Sequence, residues 1–170
     1  MTDVAVRAYR PADHAAGRRL WVELTDQHRA LYDDPGFGGG GDPGAAFEEY
    51  LTRLDLSGVW VAEHSRAGVI GLIGLILNGQ HGQVEPVVVA GAHRGRGIGR
   101  LLLRQVAEEA RRRRLARLTV KPELRNVEAL HCLRAAGYDV VSAVELTLDL
   151  RSRQPAWRNG VDLDSLMFRS

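Results

Sequence analysis

From Val87 to Arg100 the chain reads Val-Val-Val-Ala-Gly-Ala-His-Arg-Gly-Arg-Gly-Ile-Gly-Arg, an apolar strand pattern running into a glycine-rich turn and then an amphipathic helix. Gly95, Gly97 and Gly99 let the backbone come close to a ligand. The first N–H groups of a helix starting at Ile98 have no intrahelical partner and carry partial positive charge. A turn of this kind suits a pyrophosphate, and Arg94, Arg96 and Arg100 would add charge-assisted hydrogen bonds to it. The plain alternative is a tight turn with no ligand; the interleaved arginines favour the anion site. Two familiar phosphate motifs are excluded. No lysine stands where a Gly-x-x-x-x-Gly-Lys loop needs one, and Leu102 fills the third small position of a dinucleotide fingerprint. Upstream, Pro86 has no N–H to give to a ladder, which predicts a bulge or splay beside Val87 where a ligand could pair with the strand instead.

Other chemistry-bearing residues carry less. His14, His28, His64, His81, His93 and His131 show no ligand spacing, so no metal is expected. Cys132, the lone cysteine, reads as a packed helix residue rather than a nucleophile and excludes an intrachain disulfide framework. The arginine run Arg111 to Arg114 closes a helix, where cations suit the macrodipole, and no aromatic residues interleave with it, so no nucleic-acid partner is expected.

The elements that must position these residues follow from periodicity. Val4 to Ala8 alternates like a strand; Pro11 ends it, and Asp13 is placed to cap a helix from His14 to about Ala30. The stretch Asp33 to Gly44, with its glycine run Gly38 to Gly41, predicts a mobile lid whose acids Asp33, Asp34 and Asp42 could attract a cationic amine. A second helix is expected over Ala45 to Leu56. Three strands follow, Val59 to Glu63, Val69 to Leu77 and Gln83 to Val89, joined by turns short enough for an antiparallel meander. Helix Ile98 to Arg114 then crosses over to a parallel strand, Leu115 to Val120. A fourth helix covers Val127 to Ala136, and Val140 to Leu150 supplies one or two closing strands. The expected fold is a single α/β domain over 1–150, in the order β-α-α-β-β-β-α-β-α-β. Its mixed, mostly antiparallel sheet would have six to seven strands flanked by about four helices. Residues 151–170 are left as a C-terminal extension, an interface or an extra element.

Composition agrees with one domain: 170 residues, 45% hydrophobic and 26% charged. The longest apolar run, Val69 to Leu77, is far short of the ~20 residues of a membrane span, and the N-terminus has no signal-like apolar region. A soluble, cytoplasmic protein is expected. The net charge is +2, and Lys121 is the lone lysine among 23 cationic residues, which fits an anionic ligand better than a nucleic acid.

Arg94-x-x-Gly97-x-Gly99, preceded by an apolar strand, resembles the acetyl-CoA signature Arg/Gln-x-x-Gly-x-Gly/Ala of the GNAT superfamily of N-acetyltransferases. The element order, the Arg10-Pro11-Ala12-Asp13-His14 segment, and Asn126-x-x-Ala129 followed by Gly137-Tyr138 are similar to the same family, so the resemblance covers about 4–150. It implies that Val87, Val88 and Val89 offer backbone groups to the pantetheine arm of acetyl-CoA. It also implies that Arg94, Gly95, Arg96, Gly97, Ile98, Gly99 and Arg100 hold the pyrophosphate, and that Asn126 and Ala129 line the far side. In the family a carboxylate at the place of Glu85 serves as general base, with Glu63 a weaker candidate here. The family's usual acid, a tyrosine beside the cofactor, falls at Leu133, which has no proton to donate. That leaves Tyr32, Tyr50, Tyr138 or water, or a thiolate that departs without an acid.

The reading that results is acetyl transfer from acetyl-CoA to a primary amine, on a small molecule or a protein N-terminus. The rivals are a non-catalytic acyl-CoA sensor of the same fold and, more remotely, a nucleic-acid binder. Apolar Trp157, Leu163, Leu166 and Phe168 near the C-terminus leave a homodimer open.

Overall fold

Strand β3 (Gly68–Asn78) has seven consecutive buried residues, so both its faces must be covered. In the computed structural model, which describes residues 3–39, 41–54, 58–150 and 157–169, it is the middle of a five-stranded sheet ordered β1-β2-β3-β4-β5. The other strands are β1 (Val4–Ala8), β2 (Val59–His64), β4 (His81–Val89) and β5 (Arg117–Val120). The first four pair antiparallel in chain order, and β5 lies parallel to β4. Helices α1 (His14–Tyr32) and α2 (Ala45–Thr52) precede β2; α3 (Ile98–Arg112) makes the crossover, and α4 (Val127–Ala135) follows β5. A separate antiparallel hairpin, β6 (Asn159–Leu163) and β7 (Leu166–Arg169), ends the chain.

Each face of the sheet has its own core. Beneath α3, Ile98, Leu102, Leu103 and Val106 recur at helical spacing and meet Trp60, Ile70, Ile73, Leu75 and Val84, with Leu133 of α4 alongside. On the other face Leu20, Phe47 and Tyr50 from α1 and α2 cover Val59, Val61, Leu72 and Val88. Gly17 makes that closure possible, because a Cβ there would lie 2.3 Å from the Phe47 ring. At the start of α1, the Arg7 guanidinium grips Asp13 at 2.7 and 2.9 Å and Glu63 at 2.7 and 3.0 Å, tying β1, the α1 start and β2 together.

The predicted helices, the meander and the crossover all appear. The predicted end of α2 at Leu56 falls partly outside the described residues. Among the described residues the expected count of six to seven strands in one sheet becomes five, plus the two-stranded hairpin. Among the described residues Val140 to Leu150 forms no strand and joins no ladder, and Val140, Val141, Leu148 and Leu150 are more than four-fifths exposed.

The loop after α1 is tied down rather than free along its described part, which leaves out Gly40. The Phe37 ring stacks on Tyr32 with centroids 5.3 Å apart, and Arg29 donates to the carbonyls of Phe37 and Gly39. Two of its acids are engaged locally, since Asp42 accepts from Arg18 at 2.6 Å and Asp34 from the Gly36 N–H at 3.0 Å. The expected lid therefore finds no support in these contacts.

Candidate functional site

The parallel pairing of β4 with β5 runs from His81↔Arg117 to Val84↔Val120 and stops there. β4 goes on to Val89, still paired with β3 through Ile73↔Val87, Leu72↔Val88 and Gly71↔Val89. Between Leu75↔Val84 and Ile73↔Val87, β4 spends one residue more than β3, a bulge at Glu85 and Pro86. The bulge turns the strand over: Val84 faces the α3 core, whereas Val88 faces the α1–α2 core and Val87 and Val89 pack toward α3. Among the described residues, the edge of Val87 to Val89 toward β5 meets no strand. The splay expected from Pro86 is thus present at Pro86.

The bulge is pinned from the other layer. Tyr50, fully buried, donates its hydroxyl to the Glu85 carbonyl at 2.6 Å. Gly74 on β3 provides the room, since a Cβ there would lie 1.6 Å from the Tyr50 oxygen. The Glu85 side chain, 35% exposed, accepts from Arg53 Nη2 at 3.1 Å and from Gln83 Nε2 at 2.8 Å. Lys121, just past β5, has its ammonium favoured chiefly by Glu145, and Glu85 adds to the same effect.

Past Val89 the chain makes a single 3-10 turn, Gly91–His93. The Gly91 N–H donates to Glu23 of α1 at 2.9 Å, and Arg94 Nε returns to the Val89 carbonyl at 3.0 Å, fixing the end of β4. Gly95 and Gly97 then take φ of 72° and 80°, left-handed backbone that other residues rarely adopt. A Cβ at Gly95 would meet nothing within 4 Å, and one at Gly97 only Arg100 Nη2 at 3.8 Å, so the turn forms an open cradle. Among the described residues, no side chain caps the N-terminus of α3. Its leading N–H groups face the cradle with the positive end of the helix dipole behind them. Gly99 brings α3 against α4, where a Cβ would lie 3.3 Å from the Cys132 sulfur. Burial raises the Cys132 thiol pKa, which suits a packed residue.

Asn126 and Ala129 prove to be one local unit. The Asn126 side chain caps α4 by accepting the Ala129 N–H at 3.1 Å. Leu133, 7% exposed, belongs to the α3 core. Of the three tyrosines considered as acids, Tyr50 is committed to the Glu85 carbonyl. Tyr32 donates to Glu123 at 2.8 Å, and burial, with the Glu123 carboxylate beside it, pushes its pKa up to about 12. Tyr138 packs toward the α3 core. Glu63, on β2, is held by Arg7 of β1. Arg53 and Gln83 were missed as site residues, and Tyr50, considered as an acid, holds the bulge instead; only the alternation that also points to Glu85 could have flagged Gln83, and nothing local flags Arg53.

Comparison with known proteins adds family and fold. The model of the acetyltransferase (GNAT) family matches residues 14–138. A streptothricin acetyltransferase from Streptomyces lavendulae is 40% identical over 55 residues, which span 32% of this chain and only 29% of that relative. An acetyltransferase of the GNAT family from Staphylococcus aureus has a similar fold, with a TM-score of 0.65 at 15% identity, covering 86% of this chain and 94% of that one. So does N-acetylglutamate synthase from Neisseria gonorrhoeae, solved with coenzyme A and N-acetyl-glutamate, with a TM-score of 0.58 at 20% identity over 77% of this chain and 27% of that one.

Proposed function

The chain belongs to the acetyltransferase (GNAT) family, and from that premise we propose that it transfers an acetyl group from acetyl-CoA to a primary amine. One observation supports this above the others: the stretch Val87 to Val89, whose β5 side meets no strand among the described residues, leads into the open cradle at Gly95 to Gly99. An elongated ligand with a polar arm and a diphosphate fits that sequence of groups. The β5-side edge of Val87 to Val89, where Arg94 already holds the Val89 carbonyl, would bind the arm as an added strand would, and the α3 N–H groups with Arg96 and Arg100 would bind the diphosphate. Bound there, acetyl-CoA supplies an acyl thioester open to attack by an amine.

Glu85 stands at the bulge where β4 leaves β5, with its carboxylate oriented by Arg53 and Gln83. Its role is general base, accepting the amine proton directly or through one water. Leu133 has no proton to give, so no side-chain acid is assigned. Streptothricin, taken from the name of the partial relative, is the first acceptor to try, with other small amines and protein N-termini beside it; the proposed setting is cytoplasmic.

The acyl-CoA sensor remains the second reading, and Leu133 is what favours it. Release of free thiol from acetyl-CoA across an amine panel separates the two. Amine-dependent release supports the enzyme, and tight acetyl-CoA binding without turnover on any amine supports the sensor.

A further inference from the structure

We propose that Lys121 is a catalytic residue, its ammonium holding the thiolate that leaves when the thioester breaks; this rests on the acetyl transfer proposed above. β4 and β5 pair for the last time at Val84↔Val120. Glu85 and Lys121 are the next residues on the two strands, so they flank the point where the strands part. Leu118 and Val120 pack toward the α3 core, and alternation along the chain sends Lys121 to the opposite face. The Glu85 carboxylate lies on that face too, where Arg53 at the end of α2 reaches it at 3.1 Å. The Glu85 charge is felt at Lys121, so the two groups share one mouth.

The place of the sulfur follows from the proposed seat of acetyl-CoA. With the diphosphate at Gly95 to Gly99 and the arm running back along Val89 to Val87, the thioester end would arrive at Pro86 and Glu85. Glu85 would then serve one side of the reaction and Lys121 the other. The amine nitrogen bonds to the carbonyl carbon, and its proton goes to Glu85. The C–S bond breaks and its electron pair goes to sulfur, where Lys121 Nζ would donate a hydrogen bond to the new negative charge. The family's usual acid falls at Leu133, which has no proton to give, so that charge is left for another group to meet.

Lys121 suits a charge role better than proton transfer. Glu145 accepts from Nζ at 2.8 Å and raises the ammonium pKa above its ordinary value. A thiol titrates near about 8.5, so the ammonium keeps its proton beside a thiolate and meets it as an ion pair. The thiolate takes a proton from solvent after release, and Glu85 gives one back to solvent, so the step needs no further reactant. The Lys121 side chain is 69% exposed, and a ligand entering the mouth can reach it.

The thiol of bound CoA reports this charge without any acceptor. Thiolate ultraviolet absorbance of CoA saturating the wild-type protein, followed against pH, should titrate about one unit below free CoA, a tenfold shift of the equilibrium. Lys121→Met removes the charge and should return the titration to the free value, whereas Lys121→Arg should keep most of the shift. With the amine that wild type acetylates, kcat should fall about tenfold in Lys121→Met at little-changed KM, and Lys121→Arg should recover it. An unshifted thiol on wild type, or equal shifts in wild type and Lys121→Met, would overturn the inference while wild-type turnover left the acetyl-transfer reading standing. A wild type that binds no CoA, or acetylates no amine, would overturn that reading and this inference with it.

Discussion

The Tyr50 hydroxyl donates to the Glu85 carbonyl at 2.6 Å, so a side chain of α2 holds the backbone at the point where β4 parts from β5. Packing and site geometry meet in that bond. Tyr50 fills the α1–α2 core with its ring, and its oxygen satisfies a carbonyl at the bulge. Tyr50→Phe keeps the ring and removes the donor. It should cost about 1 kcal/mol, or about 2–4 °C in melting temperature for a domain of this size. Thermal melts check this, and turnover should fall further than the stability loss explains, because the Glu85 backbone is no longer fixed.

Glu85→Gln keeps the shape and the hydrogen-bonding reach of the side chain, so folding and acetyl-CoA affinity should change little. Turnover should fall about 10²–10⁴-fold if Glu85 accepts the amine proton. Single-turnover rates are the right readout, since slow product release would hide part of the loss.

Acid should loosen the β1–α1–β2 corner. Hydrogen bonds from Arg7 hold the Asp13 carboxyl below its ordinary pKa, and they do the same for Glu63. A carboxylate with a lowered folded pKa contributes stability that is fully present above the unfolded value of about 4 and drains as pH falls through the folded one. Asp13, which also accepts the Arg10 N–H at 2.8 Å, is buried, so Asp13→Asn should cost about 2 kcal/mol at neutral pH. Urea unfolding at pH 7 and pH 3 checks both points, and the variant should show a shallower decline between them.

What could be read from the sequence was what neighbours in the chain decide. The run from Val87 to the α3 start was legible because glycine spacing and apolar periodicity are local signals, and the bulge at Pro86 because proline cannot donate. The contacts of the loop after α1 were not legible for the opposite reason: its glycines suggest freedom, and the stacking of Phe37 on Tyr32 is set by tertiary packing. Val140 to Leu150 has strand-like alternation, but a strand also needs a partner edge, and alternation does not specify one. The β6–β7 hairpin escaped because its turn uses Asp164 and Ser165 at φ of 53° and 66°, without the glycine that usually marks such a turn. Arg53 reaches Glu85 across 32 residues of sequence, a pairing set by the packing of α2 on the sheet.

The central claim is that the cradle at Gly95 to Gly99 holds acetyl-CoA, and calorimetric titration of acetyl-CoA into wild type and Gly97→Val tests it most directly. Gly97 sits at φ 80° with open space where a Cβ would project, so valine would both strain the turn and fill the place a phosphate needs. Saturable binding by wild type and a loss of tenfold or more in the variant, about 1.4 kcal/mol, is the predicted result. No binding by wild type, or unchanged affinity in a Gly97→Val protein that melts like a folded domain, would contradict it.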